Sequence, residues 1–429
     1  MSSPRIHLLL SKLSTNKRTP KILLVAIIAL FVLSIYPSML TRFDPIALKE
    51  RYERWNEERT KAEINLLEYA FFPDIDLYAY AGWEYIHGVS PDEINFEHPP
   101  LAKYLIGLSE TVFGNQNVIG GTLGVASLLV LYLLSKKTLR DELFALVPVY
   151  MLSLERIFVT TSATSVLDIY LVFFLVTSIF LLGEDQGLAK LVGGSIIFGL
   201  ATACKLTALL ALPAIAFSLL SRNKRTGLKR LFLLFFFAAL TYSLCYARFF
   251  MCGHTFGEFI HLQWRMVLYQ REARHLFTYP PGRLLLTLLT GIVGPETRYL
   301  VVIEENQQVF SIATQHGIAL AREFNPLTWP VSFSAGILAF YCGLKDRQRD
   351  LIQSSVLALS FIFPFSLAHG FVWYYLPAFP FTFLLLTYIL TGREGAERKR
   401  RRFTPLLLVY LIALLFWSRI PRTPDFIAL

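Results

Sequence analysis

Apolar residues in this 429-residue chain gather in long unbroken runs, not in the alternation of half-buried strands or the stripes of surface helices. The runs lie near 22–40, 117–135, 142–158, 165–183, 190–220, 231–250, 326–343, 351–368, 371–391 and 403–418. A helix needs about 20 apolar residues to cross the hydrocarbon core of a bilayer, so nearly every run predicts one span. Run 190–220 is too long for one crossing and is interrupted by Lys205; it predicts a hairpin turning at that lysine. The pattern predicts an all-α polytopic membrane protein with about eleven transmembrane helices. Two long polar stretches, 42–115 and 252–324, separate the spans.

Charge orients the spans. The basic loops "SKKTLRD", "SRNKRTGLKR", "KDRQRD" and "REGAERKRRR" all fall on one side of a consistent threading, and basic loops stay in the cytoplasm. The expected organisation is a cytoplasmic basic tail (1–21), a first span (22–41), an external segment (42–115), spans two to seven (116–251), a second external segment (252–324) and spans eight to eleven (325–429). The N-terminal apolar run is too long for a signal-peptide core and lacks an A-x-A-like site, so it reads as a span. The net charge of +10 resides in these orienting loops, which excludes nucleic acid as the implied partner and leaves membrane lipids. The cysteines, Cys204, Cys245, Cys252 and Cys342, form no CxxC and read as unpaired.

Both external segments carry patterned sequence. "LKERYERWNEERTKAEINLLEYAFF" and "FGEFIHLQWRMVLYQREARHLF" predict amphipathic helices at the membrane surface. "RYLVVIEENQQVFSIA" predicts a short β-hairpin around a polar turn. A transporter or channel would account for spans and intramembrane charges, but paired halves are its usual sign and no internal repeat occurs here.

Ionisable groups in or beside the hydrocarbon are costly and mark function by default. The threading brings Asp74 and Asp76, His98 with Lys103, Asp168 and Lys205 to the external face. A carboxylate can deprotonate an acceptor hydroxyl, and cations can hold a leaving phosphate as its charge grows. Such a set suits group transfer from a lipid phosphate. Each residue also has a structural reading: Asp74 and Asp76 as caps of a helix beginning at Leu77, His98-Pro99-Pro100 as a rigid turn, Lys103 as a snorkelling side chain, Asp168 as a helix cap and Lys205 as a turn marker. The histidines are scattered, so no metal site or other cofactor is expected, although two carboxylates can recruit a divalent cation.

"DIDLY" followed by "EHPPLAKYLIGL" resembles the protein O-mannosyltransferase family, the dolichyl-phosphate-mannose-dependent glycosyltransferases. The likeness continues through "FGNQNVIGGTLGVASLLVLYLLSKKTL", "TSATSVLDIYLVFFLVTSIFLL", "GLATACKLTALLALPA", "FNPLTWPVSF" and "FVWYYLPAFPF". It implies a GT-C fold and an inverting transfer of a hexose, in first place mannose, from a polyprenyl- or dolichyl-phosphate donor. The acceptor would be a protein Ser/Thr or a lipid-linked glycan, with aminoarabinose-type transfer to a lipid as the runner-up. Asp74 takes the place of the family's catalytic aspartate, because Asp74 and Tyr78 keep the Asp-to-Tyr spacing; Ile75 replaces the neighbouring Glu, and Asp76 stands in as the second carboxylate. Asn117 and Ala163 stand where the family has arginines, which moves the expected phosphate contacts to Lys205, Lys103, Arg271 and Arg274. Tyr78, His98, Asp168 and Tyr375 complete the expected substrate-binding set. The second external segment is too short for the β-trefoil of eukaryotic members, and WWDYG, the oligosaccharyltransferase signature, is absent.

Overall fold

The computed structural model describes residues 18–60, 72–183, 187–221, 224–272, 281–294, 300–304, 307–311, 317–321, 323–367, 371–391, 397–419 and 426–428. The first apolar run forms α1 (Thr19–Ile35), which ends in a 3-10 turn. The polar stretch after it holds α2 (Pro45–Thr60), α3 (Asp74–Ile86) and α4 (Leu101–Phe113). The bundle continues through α5 (Val118–Leu139), α6 (Leu146–Ser153), α7 (Arg156–Ser162), α8 (Leu167–Leu182), α9 (Leu188–Cys204), α10 (Leu212–Leu220) and α11 (Lys224–Leu244). A second polar region contains α12 (Ala247–Met251), α13 (Phe256–Glu272) and α14 (Arg283–Thr290). It is followed by α15 (Trp329–Lys345), α16 (Arg349–Leu367), α17 (Phe379–Thr391) and α18 (Glu397–Arg419).

The chain is an integral membrane protein with several apolar helices. Among the described residues, 5 stretches are long and apolar enough to cross a membrane singly: Thr19–Leu40, Val118–Leu139, Arg225–Leu244, Arg349–Leu367 and Val372–Thr391. The α7–α8 pair is long and apolar enough only when taken together across its 107° bend, and Leu188–Cys204, Leu206–Leu220 and Leu407–Ser418 are shorter apolar helices. The run expected as span three is two short helices, α6 and α7, because the backbone becomes extended at Glu155 (ψ 120°).

Neighbouring helices turn at a common basic end. Lys137 lies close to Gly183 at the end of α8, Gly227 of α11 meets the end of α10, and Gly343 of α15 meets Ile352 of α16. The opposite end carries the polar regions. There Asn115 and Asn117 both donate to Ser38 O at 3.1 Å, tying the start of α5 to the end of α1. Asn117 is therefore an anchor between helices. The expected hairpin turn at Lys205 is present. That residue is extended (φ −159°, ψ 128°) between α9 and a 3-10 turn that leads into α10.

The predicted β-hairpin also forms. After β1 (Ile292–Gly294), β2 (Leu300–Glu304) pairs antiparallel with β3 (Gln307–Ser311), with Glu304 opposite Gln307. A second small sheet of order β1-β4-β5 joins β4 (Gly317–Leu320) to β5 (Phe426–Ala428) near the C-terminus. Strands of three or four residues are too short to show a period, which is why the pattern misses them.

Two polar-region helices cross at glycines. A Cβ on Gly107 would lie 2.0 Å from Gly82 O, and one on Gly82 would lie 2.4 Å from Lys103 O, so α3 and α4 touch backbone to backbone. Gly107→Ala is expected to cost about 1–3 kcal/mol through overpacking. Gly193→Ala, in open space on α9, is expected to cost nothing. Thermal unfolding of the two variants in detergent checks the contrast.

α4 also buries Glu110, neither of whose carboxyl oxygens has a hydrogen-bond partner. Burial raises its pKa to about 9. Between the usual carboxylate range and that value the unfolded chain has released this proton while the folded chain keeps it. The contribution is complete at acid pH and declines as pH rises through that window. Glu110→Gln, neutral at every pH, is expected to flatten the loss of stability between about pH 5 and about pH 9, as followed by melting temperature.

Candidate active site

α3 starts one residue after Pro73, which takes the extended N-cap conformation (φ −64°, ψ 148°). Asp74 and Asp76 therefore lie inside the first turn and cap nothing; the expected start at Leu77 is three residues late. A carboxylate in a first turn faces the positive end of the helix dipole. One turn on, the Tyr78 hydroxyl donates to Asp74 Oδ2 at 3.4 Å. Tyr78 in turn meets the His98 ring edge-on, with centroids 6.0 Å apart.

Asp76 is turned elsewhere. It takes an ion pair from Arg51 of α2 at 2.6 Å. Asp76, expected as the second catalytic carboxylate, ties α2 to α3 through this pair. The aromatic contacts of Tyr52 with Tyr80 and of Trp55 with Phe72 reinforce that joint.

Another carboxylate close to Asp74 is Asp168, in the first turn of α8. Ser165, in the bend before it, donates to Ile75 O at 3.0 Å, which brings the starts of α3 and α8 together. Asp168 and Lys205 form a buried ion pair with Nζ 2.8 Å from Oδ1 and 3.0 Å from Oδ2. The ammonium also lies over the ring of Tyr374, 4.4 Å from its centroid. Lys205 is thus held by a carboxylate and a π face. A buried pair of this kind survives desolvation only because both partners are present.

Asp74 remains accessible to solvent. Displaced hydration raises its pKa, against the opposing pull of the Lys205 charge and the Tyr78 hydrogen bond. A raised carboxylate pKa suits a general base.

Lys103 points to the loop before α4. It is fully buried, and Nζ donates to Asn95 Oδ1 (3.0 Å), His98 O (2.8 Å) and Asn95 O. Burial lowers its pKa to about 7, partly offset by Glu97. The expected phosphate contact is corrected to a brace that shapes the loop presenting His98. The second polar region clamps the same loop from outside: Arg248 Nε donates to Gly88 O at 2.7 Å, Gln270 Nε2 donates to Glu97 O at 3.0 Å, and Arg265 stacks on Phe96.

Tyr375 is likewise displaced. Its hydroxyl is buried against Ser366 Oγ at 3.0 Å, and the neighbouring Tyr374 reaches Lys205 instead. The "WYY" sequence shows that a tyrosine is available but not which one faces inward. Arg274 and the side chain of Arg271 lie outside the described residues. Among the described residues no His, Cys, Asp or Glu side chains gather into a metal-ligand group.

Residues 97–246 match the model of the dolichyl-phosphate-mannose-protein mannosyltransferase family. The match contains His98, Lys103, Asp168 and Lys205, while Asp74 precedes it. No curated protein sequence matches the chain. Solved structures of similar fold include ArnT from Cupriavidus metallidurans bound to undecaprenyl phosphate, with 13% identity and a TM-score of 0.57 over 93% of this chain and 64% of that one. The apo state of the same protein gives 0.53 at 13% identity, over 93% of this chain and 65% of that one. The apo oligosaccharyltransferase of Archaeoglobus fulgidus gives 0.51 at 14% identity, over 94% of this chain and 55% of that one. The chain thus spans less than two thirds of the length of each. The chain has the GT-C fold, and its central segment matches the model of the dolichyl-phosphate-mannose-protein mannosyltransferases.

Proposed function

We propose that this protein is a membrane glycosyltransferase that moves a hexose from a polyprenyl-phosphate donor to an acceptor hydroxyl. The observation that carries the reading is a solvent-accessible Asp74 beside a buried Asp168–Lys205 pair at one end of a GT-C bundle. Asp74 removes the acceptor's proton. The acceptor oxygen forms a bond to the anomeric carbon as the bond from that carbon to the phosphate oxygen breaks, and the lipid phosphate leaves with the electron pair. One displacement inverts the anomeric centre. Lys205, held in place by Asp168 and Tyr374, supplies positive potential for the departing phosphate. Tyr78 and His98 line the sugar side, and the donor enters sideways from the bilayer. Basic loops at the opposite end support a cytoplasmic N-terminus and an active site on the external or lumenal face.

The family match supports mannose as the sugar and protein Ser/Thr or a lipid-linked glycan as the acceptor. The ArnT likeness supports a second reading, transfer of an aminoarabinose-type sugar to a lipid. Incubating the purified protein with labelled polyprenyl-phosphate mannose and polyprenyl-phosphate aminoarabinose, each with peptide and lipid acceptors, separates the two. The proposal expects one donor to be consumed with release of polyprenyl phosphate. Consumption of neither across the acceptor panel would count against it.

A further inference from the structure

Lys103 is rooted where α3 and α4 touch, since its carbonyl oxygen lies 2.4 Å from the place of a Cβ on Gly82. Its backbone is fixed there, and only its head group addresses the loop. An ammonium carries three N–H donors. This one meets three loop acceptors: Asn95 O, Asn95 Oδ1 at 3.0 Å and His98 O at 2.8 Å. Asn95 itself is in the left-handed region, at φ 51°. Tyr85 adds its π face, 5.4 Å from Nζ, while its hydroxyl donates to Pro91 O and Ile94 O of the same loop. The lysine thus fastens the turn that ends in His98-Pro99-Pro100, and from that turn the His98 ring meets Tyr78.

Only the charged form satisfies this set. A neutral amine has two N–H donors and a lone pair, so one of the three oxygens would face a lone pair where water does not reach. The titratable groups around the ammonium are Tyr85 from α3 and Glu97 from the loop, with Tyr104 of α4 packed on Tyr85 and Arg248 of α12 beside Tyr104. Burial raises the pKa of both tyrosines, so neither hydroxyl competes with Lys103 for the change of charge at about pH 7. Two histidines also belong to this region: His98 in the loop, and His254, which lies 3.6 Å from Asp92 at the loop's far side.

We propose that Lys103 is a positioning residue for the donor site and acts as an ammonium: with its proton it holds the loop that sets His98 against Tyr78, and without it the loop is released. This rests on the reading of the Asp74 end as the place of sugar transfer. The test follows amide hydrogen exchange of loop residues 88–98 in the full chain in detergent, corrected for intrinsic rates, beside kcat/KM for the donor. Protection is expected to fall about tenfold as pH rises through the Lys103 titration, the effect of losing one charge-assisted hydrogen bond, and kcat/KM to fall with it. Asn95→Asp replaces an amide whose Nδ2 has no hydrogen-bond partner among the described residues. It is expected to move both falls upward by about 1–3 pH units, as an opposite charge in contact does. Lys103→Arg, charged throughout, is expected to abolish them. Constant protection in the unaltered protein would overturn the proposal. So would a fall with the same midpoint in Asn95→Asp, or one that persists in Lys103→Arg, either of which assigns it to a histidine, or donor turnover that stays level while the loop opens. If no donor is consumed, the transferase reading fails, while a loss of protection that moves with Asn95→Asp still supports Lys103 as the group that sets the loop.

Discussion

Lys205→Met is expected to cost this protein both stability and chemistry, and adding Asp168→Leu in the same chain is expected to return only the stability. The two side chains form a buried pair at 2.8 Å. Removing one partner leaves an uncompensated charge in a site that water does not reach, and such losses run to about 3–5 kcal/mol. Replacing both with apolar groups of similar size removes the burial cost along with the attraction, so the double variant should unfold near the wild-type temperature. Turnover should not recover, because no positive potential then faces the leaving phosphate. Lys205→Arg tests the same point more gently. A planar guanidinium cannot reproduce a point charge seated on the ring of Tyr374 and two carboxylate oxygens, so partial activity is expected. If the folded double variant consumed donor at the wild-type rate, the pair would be purely structural.

Asp74→Asn is expected to lower kcat by about 100- to 10,000-fold, the range over which general bases act, while the melting temperature stays close to wild type. Asp74 is accessible, and its one described side-chain hydrogen bond comes from Tyr78 at 3.4 Å, so an amide fits in its place. The expected profile of kcat against pH has an acid limb set by a carboxyl group titrating above its ordinary value, because partial loss of hydration raises the Asp74 pKa. Activity should fall as pH drops through that limb and the base becomes protonated. Asp76→Asn should leave the limb in place and affect mainly the junction with α2, because Asp76 pairs with Arg51. A lost limb in Asp76→Asn and an intact one in Asp74→Asn would reverse the assignment.

Much of this arrangement is legible in the chain itself. Long apolar runs specify membrane helices because the bilayer leaves the backbone no other partner, and a lysine in run 190–220 marks the hairpin turn that the structure contains at Lys205. The convergence of Asp74, His98, Asp168 and Lys205 follows from the threading. What spacing does not carry is the direction in which a side chain points. Asp74 and Asp76 lie two positions apart on one helix and so face well apart; only the packing of α2 shows which one is tied off. Lys103 and Lys205 look alike in sequence, yet one braces a loop from within and the other meets a carboxylate. Tyr374 and Tyr375 are adjacent, and the 3-10 turn that holds them decides which reaches the site. The gap between the apolar runs 142–158 and 165–183 marks the break before α8, whereas the 107° angle between α7 and α8 is not in the hydropathy.

The central claim is that a polyprenyl phosphate binds at the Asp74, Asp168 and Lys205 end of the bundle. It is tested most directly by irradiating the purified protein with polyprenyl phosphate carrying a photoreactive group next to its phosphate, then mapping the adducts by mass spectrometry. The account predicts adducts on the peptides that contain Asp74–Tyr78, His98, Lys205 or Tyr374, suppressed by excess unlabelled polyprenyl phosphate. Adducts confined to the basic end of the bundle, around Lys136, Arg225 and Lys345, would contradict it.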